Sequence, residues 1–229
     1  MIMKLTRKSG TLMMTVLVCS LLMSGIDAFF ELSYITRSLI KIMMFLLVPM
    51  SYFIMYHEDI PNMKKLFVPK RKDLKVALLL GIGVYLIIMI AYFIFRNWID
   101  FQGIKDSLMS GVGVNAENFV FVAIYISFVN SLLEEFFFRG YAFILLKKEI
   151  KPVFAYVFSS FLFAFYHVGM TTSWFSPVIY FLAMLGLFIG GLIFNFLNDK
   201  CENIYSSWLV HMCANFAINT VGFILFGIL

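Results

Sequence analysis

The chain has 229 residues, 62% of them hydrophobic and only 14% charged, with a mean hydropathy of +0.93. A soluble domain carries about a quarter charged residues, so this balance excludes an ordinary globular protein and points to one that crosses a membrane repeatedly. The net charge of +5 lies between apolar stretches rather than along one face, which excludes a nucleic-acid surface. Cys19, Cys201 and Cys213 have neither the number nor the spacing of a disulfide framework or zinc knuckle.

The first apolar stretch, TLMMTVLVCSLLMSGIDAFF, follows MIMKLTRKSG. It is longer than a signal-peptide core, and Ile26 is a poor minus-three residue for cleavage after Ala28. Val18 stands before Cys19, where a lipoprotein signal needs a small residue. A first membrane helix is therefore expected. A bilayer core of about 30 Å needs roughly 20 apolar helical residues. Such runs fall at 11–30, 38–56, 75–95, 119–146, 152–170, 177–197 and 206–228. The expected fold is all-α, a polytopic transmembrane bundle of about seven spans forming one integral membrane domain over 1–229, in a multi-pass cell-membrane protein.

Between the second and third spans, Lys64, Lys65, Lys70, Arg71, Lys72 and Lys75 form the densest positive cluster. The positive-inside rule places that loop in the cytoplasm, together with Lys4, Arg7 and Lys8 and with Lys147, Lys148 and Lys151. Strict alternation then puts the N-terminus inside, and the loop 96–118 and the uncharged GMTTSWFS outside. Trp98, Trp174 and Trp208 fall at span ends, where interfacial aromatics belong. Gly186 and Gly190, four apart on the sixth span, have the spacing of a close helix contact.

Charged groups inside spans are expensive, at about 2.5–3.5 kcal/mol each near a helix centre, so each needs a reason. The fourth span contains EEFFFRG. Glu135 and Arg139, four apart in acid-first order, share one helical face and can pair. Glu134 points about 100° away, on the stripe of Asn130, and is the carboxylate left over. His167 follows Phe163 by four on the fifth span; His211, Asn215 and Asn219 recur by fours on the seventh. Asp27 is a further intramembrane polar group. Counted at about 1.5 Å per residue from the inner charges, Glu134, His167 and Asn215 reach about 18–24 Å into the bilayer, nearly one level. A shared site is expected.

A carboxylate, two imidazoles and a carboxamide can activate water. Glu134 would be the general base and His167 its assistant, with His211 and Asn215 donating to the oxyanion. Ser131 lies nearby but is not needed as a nucleophile, and Cys213 points about 200° away from His211 around its helix. No cofactor is required. The chemical alternative is zinc held by Glu134 and the two histidines, although no His-Glu-x-x-His is present.

EEFFFRG resembles the Glu-Glu-x-x-x-Arg motif of the CAAX prenyl endopeptidase and bacteriocin-immunity (CPBP, Abi) family. FAFYH, Phe163 to His167, is similar to its Phe-x-x-x-His motif, and HMCAN, His211 to Asn215, to its His-x-x-x-Asn motif. The three occur in order on separate spans, with the expected catalytic core at 119–229. The resemblance implies a glutamate-type intramembrane endopeptidase with Glu134, His167, His211 and Asn215 catalytic, and Glu135, Arg139 and Phe163 supporting. The family's eukaryotic-type members are usually described with eight spans, against seven here. The composition resembles bacterial members, linked to peptide maturation, bacteriocin immunity and signalling rather than to prenylated substrates. The implied partners are the lipid bilayer and a peptide or protein substrate in or at the membrane. A non-proteolytic immunity factor or scaffold of the same family is the competing expectation. A proton-coupled transporter would need polar stripes running to both membrane faces, and the sequence has a single level instead.

Overall fold

The structure is a computed structural model that describes residues 6–171 and 174–229, with the side chains of Arg71 and Lys72 excepted. Lys4, Thr172, Ser173 and the side chains of Arg71 and Lys72, all used in the topology argument, lie outside the described residues. Among the described residues seven helices are long and apolar enough to cross a membrane: α1 (Arg7–Phe29), α2 (Tyr34–Met55), α3 (Asp73–Phe95), α5 (Phe119–Glu149), α6 (Pro152–Thr171), α7 (Pro177–Cys201) and α8 (Tyr205–Leu225). They coincide with the seven expected spans.

Local chemistry sets the boundaries. Thr6 and Ser9 form a reciprocal capping box at the start of α1, Ser33 caps α2, and Pro152 and Pro177 occupy the first positions of α6 and α7. The segment 96–118, expected as loop, contains an additional helix, α4 (Phe101–Val112). Asp100 caps it by accepting from the Gly103 amide, and Gly113 ends it at φ 73°, a left-handed position that suits glycine. Its short amphipathic pattern packs Leu108 and Val112 against Phe119, Val122 and Phe226.

The long helix α5 is the hub, packed against α1, α6, α7 and α8, while α3 lies along α8 at the periphery. The core around α5 is aromatic. Phe45 of α2 stacks on Phe137 at 4.2 Å between centroids, and Phe138 stacks on Tyr166 of α6 at 5.2 Å. Such faces fit an interior where dispersion and ring geometry, rather than exclusion of water, drive helix association.

The spans are not uniform α-helices. π-helical stretches occupy Tyr125–Asn130 and Glu135–Leu145 of α5 and Met43–Leu47 of α2, and the Ser131 amide reaches back five residues to the Ile126 carbonyl. In lipid the carbonyls along such a widened stretch need partners from within the protein. Asn219 donates from Nδ2 to the Ala123 carbonyl at 3.1 Å, and Asn215 donates to Ile126 at the same distance.

Close packing on α7 is supplied by a different glycine from the expected pair. Nothing lies within 4 Å of where a Cβ on Gly186 or Gly190 would stand, whereas one on Gly191 would come within 2.9 Å of Ser160 Cβ. The four-residue spacing does put Gly186 and Gly190 on one face, but that face is turned outward. Gly169 is tighter still. Its amide donates to Ser24 Oγ at 3.2 Å, and a Cβ there would strike the Ser24 carbonyl of α1. Gly169→Ala is expected to destabilise the protein by about 1–3 kcal/mol, the range for overpacking, read as a lower melting temperature in detergent. Gly186→Ala should leave it unchanged.

One end of the bundle is tied by Asp59, between α2 and α3. Asp59 Oδ2 meets Lys8 Nζ of α1 at 2.7 Å and accepts from the Tyr52 hydroxyl at 2.9 Å, and Asn62 donates to Oδ1 at 3.1 Å. Lys8 also stands 3.6 Å from Glu149 at the end of α5. Burial pushes the Asp59 carboxyl up, but these donors and the Lys8 charge outweigh it and hold it below the ordinary 3.8. A carboxyl held low stabilises the fold above its ordinary value, and that contribution is lost as pH falls through the folded-state value. Wild type should therefore lose stability below about pH 3.8 more steeply than Asp59→Asn, and should be the more stable of the two at neutral pH. Parallel curves in detergent would show that Asp59 contributes nothing of this kind.

Candidate active site

Helix α5 carries the charged cluster into the interior, with Glu134 1% exposed and Glu135 and Arg139 fully buried. The sequence places the two carboxylates side by side, but the fold gives them different partners.

Glu135 is held on all sides. His211 of α8 donates from Nδ1 to its Oε1 at 2.9 Å. A carboxylate only accepts, so Nδ1 bears the hydrogen. Ser207, one turn earlier on α8, donates to Oε2 and is itself met by Asn198 Nδ2 of α7 at 2.8 Å. The short α7–α8 turn makes this chain of contacts possible. Glu202 turns the backbone at φ 54°, and Asn203 accepts from the Tyr205 amide to start α8. Arg139, expected as the partner of Glu135, stands 3.6 Å from Oε2 through Nε, an ion pair with no hydrogen bond. His211 and Ser207 draw the carboxylate away from it. The guanidinium sits over the Phe163 ring at 3.9 Å and near the Phe194 ring at 4.9 Å, which keeps a buried cation against two π faces.

Glu134 faces a different set of groups. Asn130, one turn earlier, donates from Nδ2 to Oε1 at 2.6 Å. Lys41 of α2 donates to Asn130 Oδ1 at 2.9 Å, and its Nζ is 3.5 Å from Glu134 Oε1. The Tyr166 hydroxyl of α6 lies close to this carboxylate. On the other side, His211 Nε2 lies 3.7 Å from Oε2, beyond a direct hydrogen bond. His211 therefore spans the two carboxylates, bonded to Glu135 through one nitrogen and facing Glu134 with the other.

His167 ends the main run of α6, its Nδ1 bonded to the Phe163 carbonyl at 2.8 Å. The carbonyl is an acceptor, so this ring too is protonated at Nδ1 and leaves Nε2 with its lone pair. Phe163 thus serves twice, with its carbonyl for His167 and its ring for Arg139. Asn215 lies one turn beyond His211, but its amide bonds Ile126, leaving one of its two N–H groups uncommitted among the described residues. Asp27 is paired with Arg37 at 2.9 Å. Cys213 packs against Gly81 of α3, away from the carboxylates. Trp208, expected at the interface, donates inward to Ser131 at 2.9 Å because it lies on the α5-facing side of α8. Among the described residues no group of three His, Cys, Asp or Glu side chains is placed to hold a metal ion.

Sequence reasoning missed Lys41. Its signal was present, an unpaired lysine in an otherwise apolar run, but it sits close enough to the end of its span to pass for a flanking charge.

Residues 116–217 match the family model described as type II CAAX prenyl endopeptidase Rce1-like. No curated protein and no solved structure matches the chain. The matched stretch holds Glu134, Glu135, Arg139, His167, His211 and Asn215, and the elements from α5 to α8 that bring them together. Through this stretch the chain, a multi-pass membrane protein, is similar to the type II CAAX prenyl endopeptidases.

Proposed function

We propose that the chain is a membrane endopeptidase that hydrolyses a peptide bond of a membrane-associated peptide or protein, with Glu134 as the general base. The observation that carries this reading is the division of labour between the carboxylates. Glu135 is consumed by His211, Ser207 and Arg139, whereas Oε2 of Glu134 faces His211 Nε2 across 3.7 Å.

In the proposed step Glu134 Oε2 takes a proton from water as the water oxygen bonds to the scissile carbonyl carbon. The carbonyl π electrons move to its oxygen. His167, through its Nε2 lone pair, accepts the water's second hydrogen and fixes its direction. His211, when its ring carries a second proton, and the uncommitted N–H of Asn215 donate to the oxyanion. Collapse of the tetrahedral carbon breaks the C–N bond, and the proton held by Glu134 passes to the departing amine. The basic residues at the Asp59 end favour that end, with the N-terminus, as cytoplasmic.

The test is cleavage of a quenched-peptide library by purified protein in detergent, with and without chelator. Glu134→Gln should lower kcat/KM by about 10²–10⁴, the usual worth of a general base. Asn215→Ala should lower it by about 10²–10³, as for loss of one oxyanion donor. Chelator should have no effect. Loss with chelator and recovery with zinc would replace the mechanism while keeping the residues. Full activity in Glu134→Gln would exclude it as the base, and a cellular phenotype surviving that substitution would favour a non-proteolytic role.

A further inference from the structure

We infer that Lys41 is a positioning residue of this site, holding Glu134 by Oε1 so that Oε2 is the oxygen presented for proton transfer. The inference rests on the reading of Glu134 as the base, and it adds a residue from the N-terminal half, outside the matched stretch 116–217.

A lysine inside a span normally extends its long stem so that the ammonium reaches the interfacial region. Lys41 does the opposite. Its side chain is only 16% exposed, and its hydrogen bond to Asn130 and its ion pair with Glu134 are both made within the site. Nζ donates to Asn130 Oδ1 at 2.9 Å, stands 3.5 Å from Glu134 Oε1 and lies over the Tyr166 ring at 5.2 Å.

Asn130 makes the arrangement directional. Its carbonyl oxygen accepts from Lys41 while its amide donates to Glu134 Oε1 at 2.6 Å. An amide so engaged at both ends cannot flip without breaking both bonds, so Lys41 fixes which end of Asn130 meets the carboxylate. Lysine and asparagine act on the same oxygen. The carboxyl plane is thereby set, and Oε2 is left toward His211 Nε2 at 3.7 Å. Helix α2 thus meets one oxygen of Glu134 and α8 faces the other.

A lysine that merely neutralised a buried acid would act on folding and leave turnover alone. A positioning lysine acts on kcat. Cleavage of the same quenched peptide is measured for wild type, Lys41→Met, Lys41→Arg and Glu134→Gln. Lys41→Met is expected to lower kcat at least about ten-fold with KM within about three-fold, and Lys41→Arg to restore most of the loss. Wild-type kcat in Lys41→Met beside an inactive Glu134→Gln overturns the role of Lys41 and leaves the base in place. An active Glu134→Gln overturns the base assignment itself. Thermal unfolding reads the contact without any substrate. Lys41→Met should lower the melting temperature in wild type and clearly less in a Glu134→Gln background. Equal losses in both backgrounds would remove the contact on which the inference stands.

Discussion

The hydrogen bond from His211 Nδ1 to Glu135 Oε1, 2.9 Å long, is the joint on which the site depends. It ties α8 to α5 at the bundle centre, fixes the imidazole tautomer and aims the other ring nitrogen at Glu134. In a hydrocarbon interior no water is on hand to repair a lost partner, so such a bond carries more consequence than its counterpart on a soluble surface. Removing one member of a buried charged pair typically costs about 3–5 kcal/mol, because the remaining charge is stranded. Glu135 is accordingly over-supplied with donors. Arg139, displaced to 3.6 Å, relies on Phe163 and Phe194 instead.

The architecture around that joint follows from the need to hold irregular backbone and charge together. The π-helical stretches of α5 lie on either side of Glu134, where a widened turn rotates side chains relative to a uniform helix. Asn215 of α8 bonds a carbonyl within the first stretch and Asn219 one just before it, so one helix supplies both chemical groups and backbone support. The turn at Glu202 keeps α7 close enough for Asn198 to reach Ser207. Helix α2 completes the enclosure with Lys41.

Much of this was legible in the sequence, and the reasons are physical. Span length is fixed by bilayer thickness, so all seven spans could be read from apolar runs alone. The singling out of Glu134 from Glu135 followed from helical angle, because adjacent residues cannot share a face. What escaped depends on tertiary partners. Nothing in a four-residue spacing says that His211 would claim Glu135 ahead of Arg139, or that Asn215 would spend one N–H on Ile126. Gly186 and Gly190 show the same limit. Their spacing defines a stripe, but only the neighbouring helix decides which stripe is packed, and it is Gly191 that meets Ser160. The helix α4 did carry a signal, with Asp100 as N-cap and Gly113 at its end, hidden by its low hydrophobicity.

The most direct test of the account is the protonation of the histidine rings. The chain has three histidines, so ¹⁵N spectra of histidine-labelled protein in micelles are assignable by single substitutions. The account predicts that His211 carries its hydrogen on Nδ1, with a signal that changes in Glu135→Gln. A His211 ring protonated only at Nε2, or one indifferent to Glu135→Gln, would contradict the arrangement from which the rest of the site was built.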